Sequence, residues 1–302
     1  MPTIITRTTA PSGGDYTTFT AAEAAVSTIG TSSDLVANDE SIVFEVEAGT
    51  YSESVTFSSS LTTDATRNVT YRAAAGSEHG GVQGAGVRIQ FGNPAVSGQV
   101  VFPLDSFLTL QGLEVHWDDT STSEKTAVKA SSGALGLQLT DCLVRCDDGN
   151  GVAVYLQGND ARDTATHPPV FTNSVFRSTQ NGFRLWNYGS VGKAYAVTNC
   201  TITCAGRAFD IYSHTNATTY TITNNLILAA AEDWRDQGGS GTSTVLGSNN
   251  FGPQTSATHV FPVALRGAGY PHTFTTDTAA TSTGNQVIYD ATTGALVNAP
   301  GN

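Results

Sequence analysis

Between residues 137 and 236 the chain repeats one pattern: LQLTDCLVRC, then VFTNSVFRST, then AVTNCTITC, then YTITNNLIL. Each copy carries a Thr followed by Asp or Asn inside an alternating apolar run. These pivots, Asp141, Asn173, Asn199 and Asn224, stand 32, 26 and 25 residues apart. Self-similarity at 20–50 residues marks stacked supersecondary units. Alternation with period two makes those units strands rather than helices. The pattern predicts an all-β chain, a parallel β-helix whose coils stack at roughly 4.8 Å.

Composition agrees. Charged residues make up only 13% of the 302 residues, too few for a helical bundle. The net charge of −12, with 14 Lys plus Arg, argues against a nucleic-acid partner. No apolar leader opens the chain and no stretch reaches membrane-spanning length, so no membrane partner is expected. The sequons at Asn68, Asn199 and Asn216 read as chance in a Thr-rich chain.

Three regions are expected: an N-terminal cap of strand and helix over 1–40, coils over 41–231, and an irregular closing or docking region over 232–302 containing a short strand at 286–290. In the cap, Thr20 and Glu23 fit a capping box, with a helix over 21–29 closed by Gly30. Residues 41–57 read as two strands around Gly49. Residues 68–76 and 87–91 give further strands, and residues 107–117 resemble the later pivots with Gly112 at the turn.

After each central pivot comes a second strand: residues 150–156, 181–187 and 207–213. Aligned on their sequence, Val152, Phe183 and Phe209 form one inward column, and Val154, Leu185 and Ile211 another. Cys142 and Cys200 share a column with Ser174 between them, as do Cys146 and Cys204 with Ser178. That places each cysteine pair two rungs apart, too far for a disulfide or a zinc ion. Buried free thiols, no metal and no cofactor are expected.

The opening GGDYTTFTAAEAAV and the following IVFEVEAGTYSESV, with Gly49, Tyr51 and Glu53, resemble the pectin lyase-like superfamily, and the first coils of pectin methylesterases in particular. The resemblance implies a right-handed parallel β-helix. It does not extend to chemistry. The methylesterase catalytic stretches have no counterpart. Of the polygalacturonase set only Asp147-Asp148 has a match, Glu78-His79-Gly80 lies in another part of the chain, and no Arg-Ile-Lys occurs. In style, the start and the TNCTI-type coils also resemble β-helix proteins of tailed bacteriophages, which serve as fibres, spikes or decorations.

The outward positions of the second strands carry the candidate site. Ala153, Arg184 and Asp210 form one expected column, and Tyr155, Trp186 and Tyr212 the next, bordered by Asn187, Tyr188 and His214. An aromatic ladder beside charged groups suits a sugar ring or a partner protein. The competing reading is that Arg184 and Asp210 pair across neighbouring rungs. The acidic runs Asp118-Asp119, Asp147-Asp148 and Asp160 with Asp163 follow turn-rich segments, where Asp caps local backbone; this reading prevails over a glycosidase pair or a calcium site. The available bases, Lys125, Lys129, Lys193, Arg162, Arg184 and Arg207, stand in no recognisable catalytic motif.

The expected function is a non-enzymatic virion protein on the surface of a tailed phage, as head decoration, fibre or spike. Its expected partners are other capsid or tail proteins, copies of itself as a homotrimer, and a host surface glycan. The alternative is a tailspike-type protein that binds or depolymerises polysaccharide.

Overall fold

The computed structural model describes residues 1–93, 98–119, 124–131, 135–158, 166–187, 193–214, 217–229, 231–237 and 243–248, with strand backbone at 287–289 and 296–298. The chain winds through three parallel sheets, one strand of each per coil. Sheet 1 has nine strands, from Thr3–Thr9 and Glu40–Val46 through Val69–Ala73, Leu108–Gln111, Gln138–Thr140, Val170–Thr172 and Lys193–Thr198 to Thr218–Thr223 and Ser243–Ser248. Sheet 2 has seven, from Gly49–Ser52 and Val87–Phe91 through Glu114–Trp117, Leu143–Cys146, Val175–Ser178 and Thr201–Cys204 to Leu226–Ala229. Sheet 3 also has seven: Val55–Phe57, Gln99–Pro103, Thr126–Ser131, Val152–Gly158, Asn181–Asn187, Arg207–His214 and Glu232–Asp236.

The pivots join sheet 1 to sheet 2. Asp141, Asn173, Asn199 and Asn224 all take the left-handed conformation, with φ between 51° and 56°, and Gly112 holds the same place at 71°. Asn, Asp and Gly tolerate that region because a short polar side chain, or none, avoids the clash with the following carbonyl. One left-handed residue turns the strand sharply in each of these five coils.

The residue after each pivot faces inward and ties rung to rung. The Cys142 N–H donates to Ser174 Oγ at 3.0 Å, and the Cys200 N–H to Asn225 Oδ1 at 2.8 Å. The thiols of Cys142 and Cys200 point at the carbonyls of Leu110 and Phe171, each at 3.4 Å. In the other column Cys146, Ser178 and Cys204 stand in register on successive rungs. Burial pushes the thiols of Cys142, Cys146 and Cys200 up to about 12. Thiolate is the reactive form, so these three cysteines are expected to resist a thiol-specific reagent at pH 8 in the native protein and to react at once in denaturant. Fast modification of native Cys142 or Cys200 would contradict the buried-thiol assignment.

The interior is apolar and aromatic. Phe183 stacks on Phe209 at 5.3 Å and meets Phe176 at 4.6 Å and Phe171 at 5.3 Å. Stacking identical positions lets each coil bury a face that it has no means to bury alone.

The N-terminal end is closed by helix α1 (Phe19–Ile29), whose Phe19, Ala22 and Val26 fall on one stripe and are buried. The capping box expected at Thr20 and Glu23 is not formed. Thr18 is the N-cap, its Oγ1 accepting from the Ala21 N–H. The carboxylate of Glu53 reaches across from the first coil and accepts from the N–H groups of Phe19 and Thr20, at 2.7 and 3.0 Å. A non-local carboxylate thus satisfies the helix start that a local one was expected to cap. A short second helix, α2 (Leu35–Asn38), leads into the coils.

Three further expectations are corrected. Residues 41–57 form three strands rather than two. The solenoid does not stop at Ala231: Glu232–Asp236 pairs with Arg207–His214, and Ser243–Ser248 pairs with Thr218–Thr223. The rest of the expected closing region lies outside the described residues, apart from an antiparallel strand pair, Val287–Tyr289 with Leu296–Asn298. Finally, Phe183 is paired with Val154 rather than Val152, and Leu185 with Leu156. The turn after Cys146 holds five residues and its successor after Ser178 only two, so alignment on the Asn-Gly dipeptides slipped by two positions. The columns Phe183–Phe209 and Leu185–Ile211 stand as expected.

Candidate functional site

The corrected register changes the outer face of sheet 3. One column runs Lys129, Tyr155, Arg184, Asp210, Arg235 over five successive strands. Ala153, expected in this column, is buried. The neighbouring column holds Gln157 and Trp186. A register shift between Leu185 and Trp186 pairs Trp186 with Ser213 instead of Tyr212. Bulges of this kind re-aim side chains at sheet surfaces.

The three aromatic rings meet nonetheless, diagonally across the two columns. Tyr155 and Trp186 lie 6.4 Å apart, 15° from parallel, and Trp186 and Tyr212 lie 5.0 Å apart at 50°. The strip grades from a buried base to an open rim: Tyr155 is 6% exposed, Trp186 half-buried, and Tyr212 43% exposed. Lys129 places its ammonium 5.3 Å from the centre of the Tyr155 ring, a cation–π contact.

Asp210 lies on this outer face but is not an available carboxylate. It is fully buried. Arg235 donates to it through Nε at 2.8 Å and Nη2 at 3.0 Å, and Gln237 and Asn181 donate at 3.2 and 3.3 Å. Arg184 Nε lies 3.6 Å away, and the other end of that guanidinium is ion-paired to Glu124. Arg184 and Asp210 therefore pair across neighbouring rungs. Both side chains are engaged in this network.

Of the acidic runs, Asp148 accepts from the Asn150 N–H at 2.9 Å and caps its turn as expected. Asp118 is bonded to Gln90. Asp147 belongs to a buried ionic layer on sheet 2 that the sequence did not reveal. Arg145 donates to Glu114 at 3.0 Å and to Asp147 at 2.5 Å, and His116 Nε2 lies 2.9 Å from the same Asp147 oxygen. Burial pushes Asp147 up, but the His116 hydrogen bond and the charges of Arg145 and Arg177 outweigh it and hold its carboxyl below the usual range. Glu114 also accepts from the Gly84 N–H at 2.7 Å, which pins the Gly-rich segment 77–86 over this layer. The only signal in the sequence was polar residues at outward strand positions, which ordinarily reads as a solvated face.

A groove of about 850 Å³ runs along the pivot edge, with Glu45, Arg72, Glu78, His79, Asp141 and Asn173 among its lining. Of these, Glu45, Arg72, Glu78 and His79 bond to their surroundings. Glu45 pairs with Arg72, Glu78 accepts from the Gly76 N–H, and the His79 ring bridges the Gly81 N–H and the Asp141 carbonyl. Lys125 and Lys193 are buried. Arg162, Asp160, Asp163, Tyr188 and Asn216 lie outside the described residues, as do the side chains of Asn187 and His214. Among the described residues no group of three or more His, Cys, Asp or Glu is placed to hold a metal ion, and no helix is long and apolar enough to cross a membrane.

The sequence matches no protein-family model, and no curated protein matches it. Among solved structures, the chain is similar to two crystal structures of the pectin methylesterase from Aspergillus niger, one deglycosylated and one penultimately deglycosylated. Each is 14% identical with a TM-score of 0.44, over 86% of this chain and 89% of that one.

Proposed function

We propose that this chain is a non-enzymatic β-helix displayed on the surface of a tailed-phage particle, where the aromatic strip of sheet 3 holds a host sugar chain. The observation behind this reading is the contiguous strip Tyr155–Trp186–Tyr212, opening from a buried ring to an exposed one. Ring faces fixed on a rigid sheet offer apolar area to a pyranose at little entropic cost. Binding without turnover is favoured because the carboxylate beside the strip is already enclosed by Arg235, Asn181 and Gln237. A general base needs a lone pair within hydrogen-bond reach of its substrate. The place on a phage particle is supported by the style of the coils, and a stiff solenoid suits display.

Calorimetry against a panel of bacterial surface oligosaccharides tests the binding. Trp186→Ala is expected to weaken the best ligand by about 30-fold or more, the effect of losing a central aromatic anchor worth at least ~2 kcal/mol. No new reducing ends should appear on prolonged incubation. Undiminished affinity in the variant would move the site elsewhere, and steady release of reducing ends would restore the depolymerase reading. Immunogold labelling of particles addresses display: regular label on head or tail is expected, and unlabelled particles would remove the virion from the proposal.

A further inference from the structure

We propose that the N-terminal cap is a pH-operated latch, in which one proton held between Glu23 and Asp105 fastens α1 to the first coils. Glu23 sits on the inner stripe of α1 and is 8% exposed. Its Oε1 accepts from the Ser58 N–H at 2.8 Å and its Oε2 from the Tyr71 hydroxyl at 3.0 Å. Asp105 follows the second strand of sheet 3 and hydrogen-bonds to Glu23 through its side chain. It also accepts from the N–H and the hydroxyl of Ser59, at 2.9 and 2.7 Å. The carboxyl pair thus joins three elements: α1, the turn after Val55–Phe57, and the segment after Gln99–Pro103.

Two carboxylates in hydrogen-bond contact require a proton between them, because two negative charges at that distance repel strongly in a site shielded from water. The other titratable group facing Glu23 is Tyr71. Burial, with Glu23 beside it, holds its phenol well above the usual range, so it remains a neutral donor. Neither neighbour supplies a positive charge. Burial first, and then the Asp105 charge, raise Glu23 from its usual 4.5 to about 7. The docked cap therefore holds this proton more tightly than the open cap does. The docking that the proton contributes is complete below about 4.5, declines as pH rises, and is lost once pH passes about 7. Above that point α1 still buries Phe19, Ala22 and Val26, so the cap loosens without unfolding the coils.

Native-state hydrogen exchange on the full chain tests the latch, with protection corrected for intrinsic exchange rates. Protection of the α1 amides is expected to fall on the order of a hundredfold between pH 4 and pH 8.5, as a shift of this size dictates. Amides in Asn181–Asn187, far along the solenoid, serve as the internal reference and should not change. Glu23→Gln keeps an acceptor and adds a donor toward Asp105, so its α1 protection should be high and flat with pH. Asp105→Asn, which removes the facing charge, should shrink the dependence and move it to lower pH. Equal wild-type protection at both pH values overturns the proposal. So does an undiminished dependence in Glu23→Gln or, if that variant does not fold, in Asp105→Asn.

Discussion

Arg145→Ala is expected to cost about 3–5 kcal/mol, because it strips the partner from a charge that has no access to water. Glu114 is fully buried, and its ion pair with Arg145 spans 3.0 Å between adjacent strands of sheet 2. Among the described residues, Glu114 would then keep the Gly84 N–H, and Asp147 the His116 contact and the charge of Arg177. The loss is read from urea unfolding of the variant against the parent. A double-mutant cycle with Glu114→Ala separates the pair from the packing of the Arg145 stem. The double variant is expected to be clearly less damaged than the sum of the two singles, since it leaves no unpaired carboxylate at position 114. Strictly additive losses would show that the two side chains do not depend on each other.

Phe183→Ala is expected to cost a similar amount, about 3–5 kcal/mol, for a different reason. Its ring contacts Phe171, Phe176 and Phe209 on its own and neighbouring coils. The rings here are closely packed, with a void of only about 10 Å³ beside them, so truncation opens a cavity that they fill only in part. In a solenoid each coil contacts only its neighbours. Lost hydrogen-exchange protection should therefore concentrate in the coils carrying Val152–Gly158, Asn181–Asn187 and Arg207–His214, and leave α1 unchanged. Uniform loss over the whole chain would mean that the coils unfold as one unit. A loss under 1 kcal/mol would mean that the core repacks, contrary to the close packing of these rings.

These two sites differ in how far they could be read from residues. Phe183 was legible as core, since it stands in an alternating strand and repeats as Phe209 one coil later. Arg145 was not, because nothing local distinguishes a polar residue facing water from one facing Glu114 beneath the Gly-rich segment. The candidate binding face falls between the two. Its rings, Tyr155, Trp186 and Tyr212, were named from sequence. Their arrangement was not, because one turn is three residues longer than the next and a bulge follows Leu185. Asp210 was named as part of that face, yet its enclosure depends on Arg235, 25 residues away in a strand that the sequence placed beyond the coils.

What the sequence determined by itself is the coil: strands from period-two alternation, and corners from Asp and Asn at left-handed pivots. Both rest on local sterics, which each residue carries wherever the chain goes. What only the tertiary structure decided is which rung meets which and which charges lose their water: the Glu53 cap on α1, the carboxyl pair Glu23–Asp105, and the layer of Glu114, Arg145, His116 and Asp147. These follow from stacking, where turn length sets the register and a covering segment sets the dielectric, so no single stretch of sequence contains them.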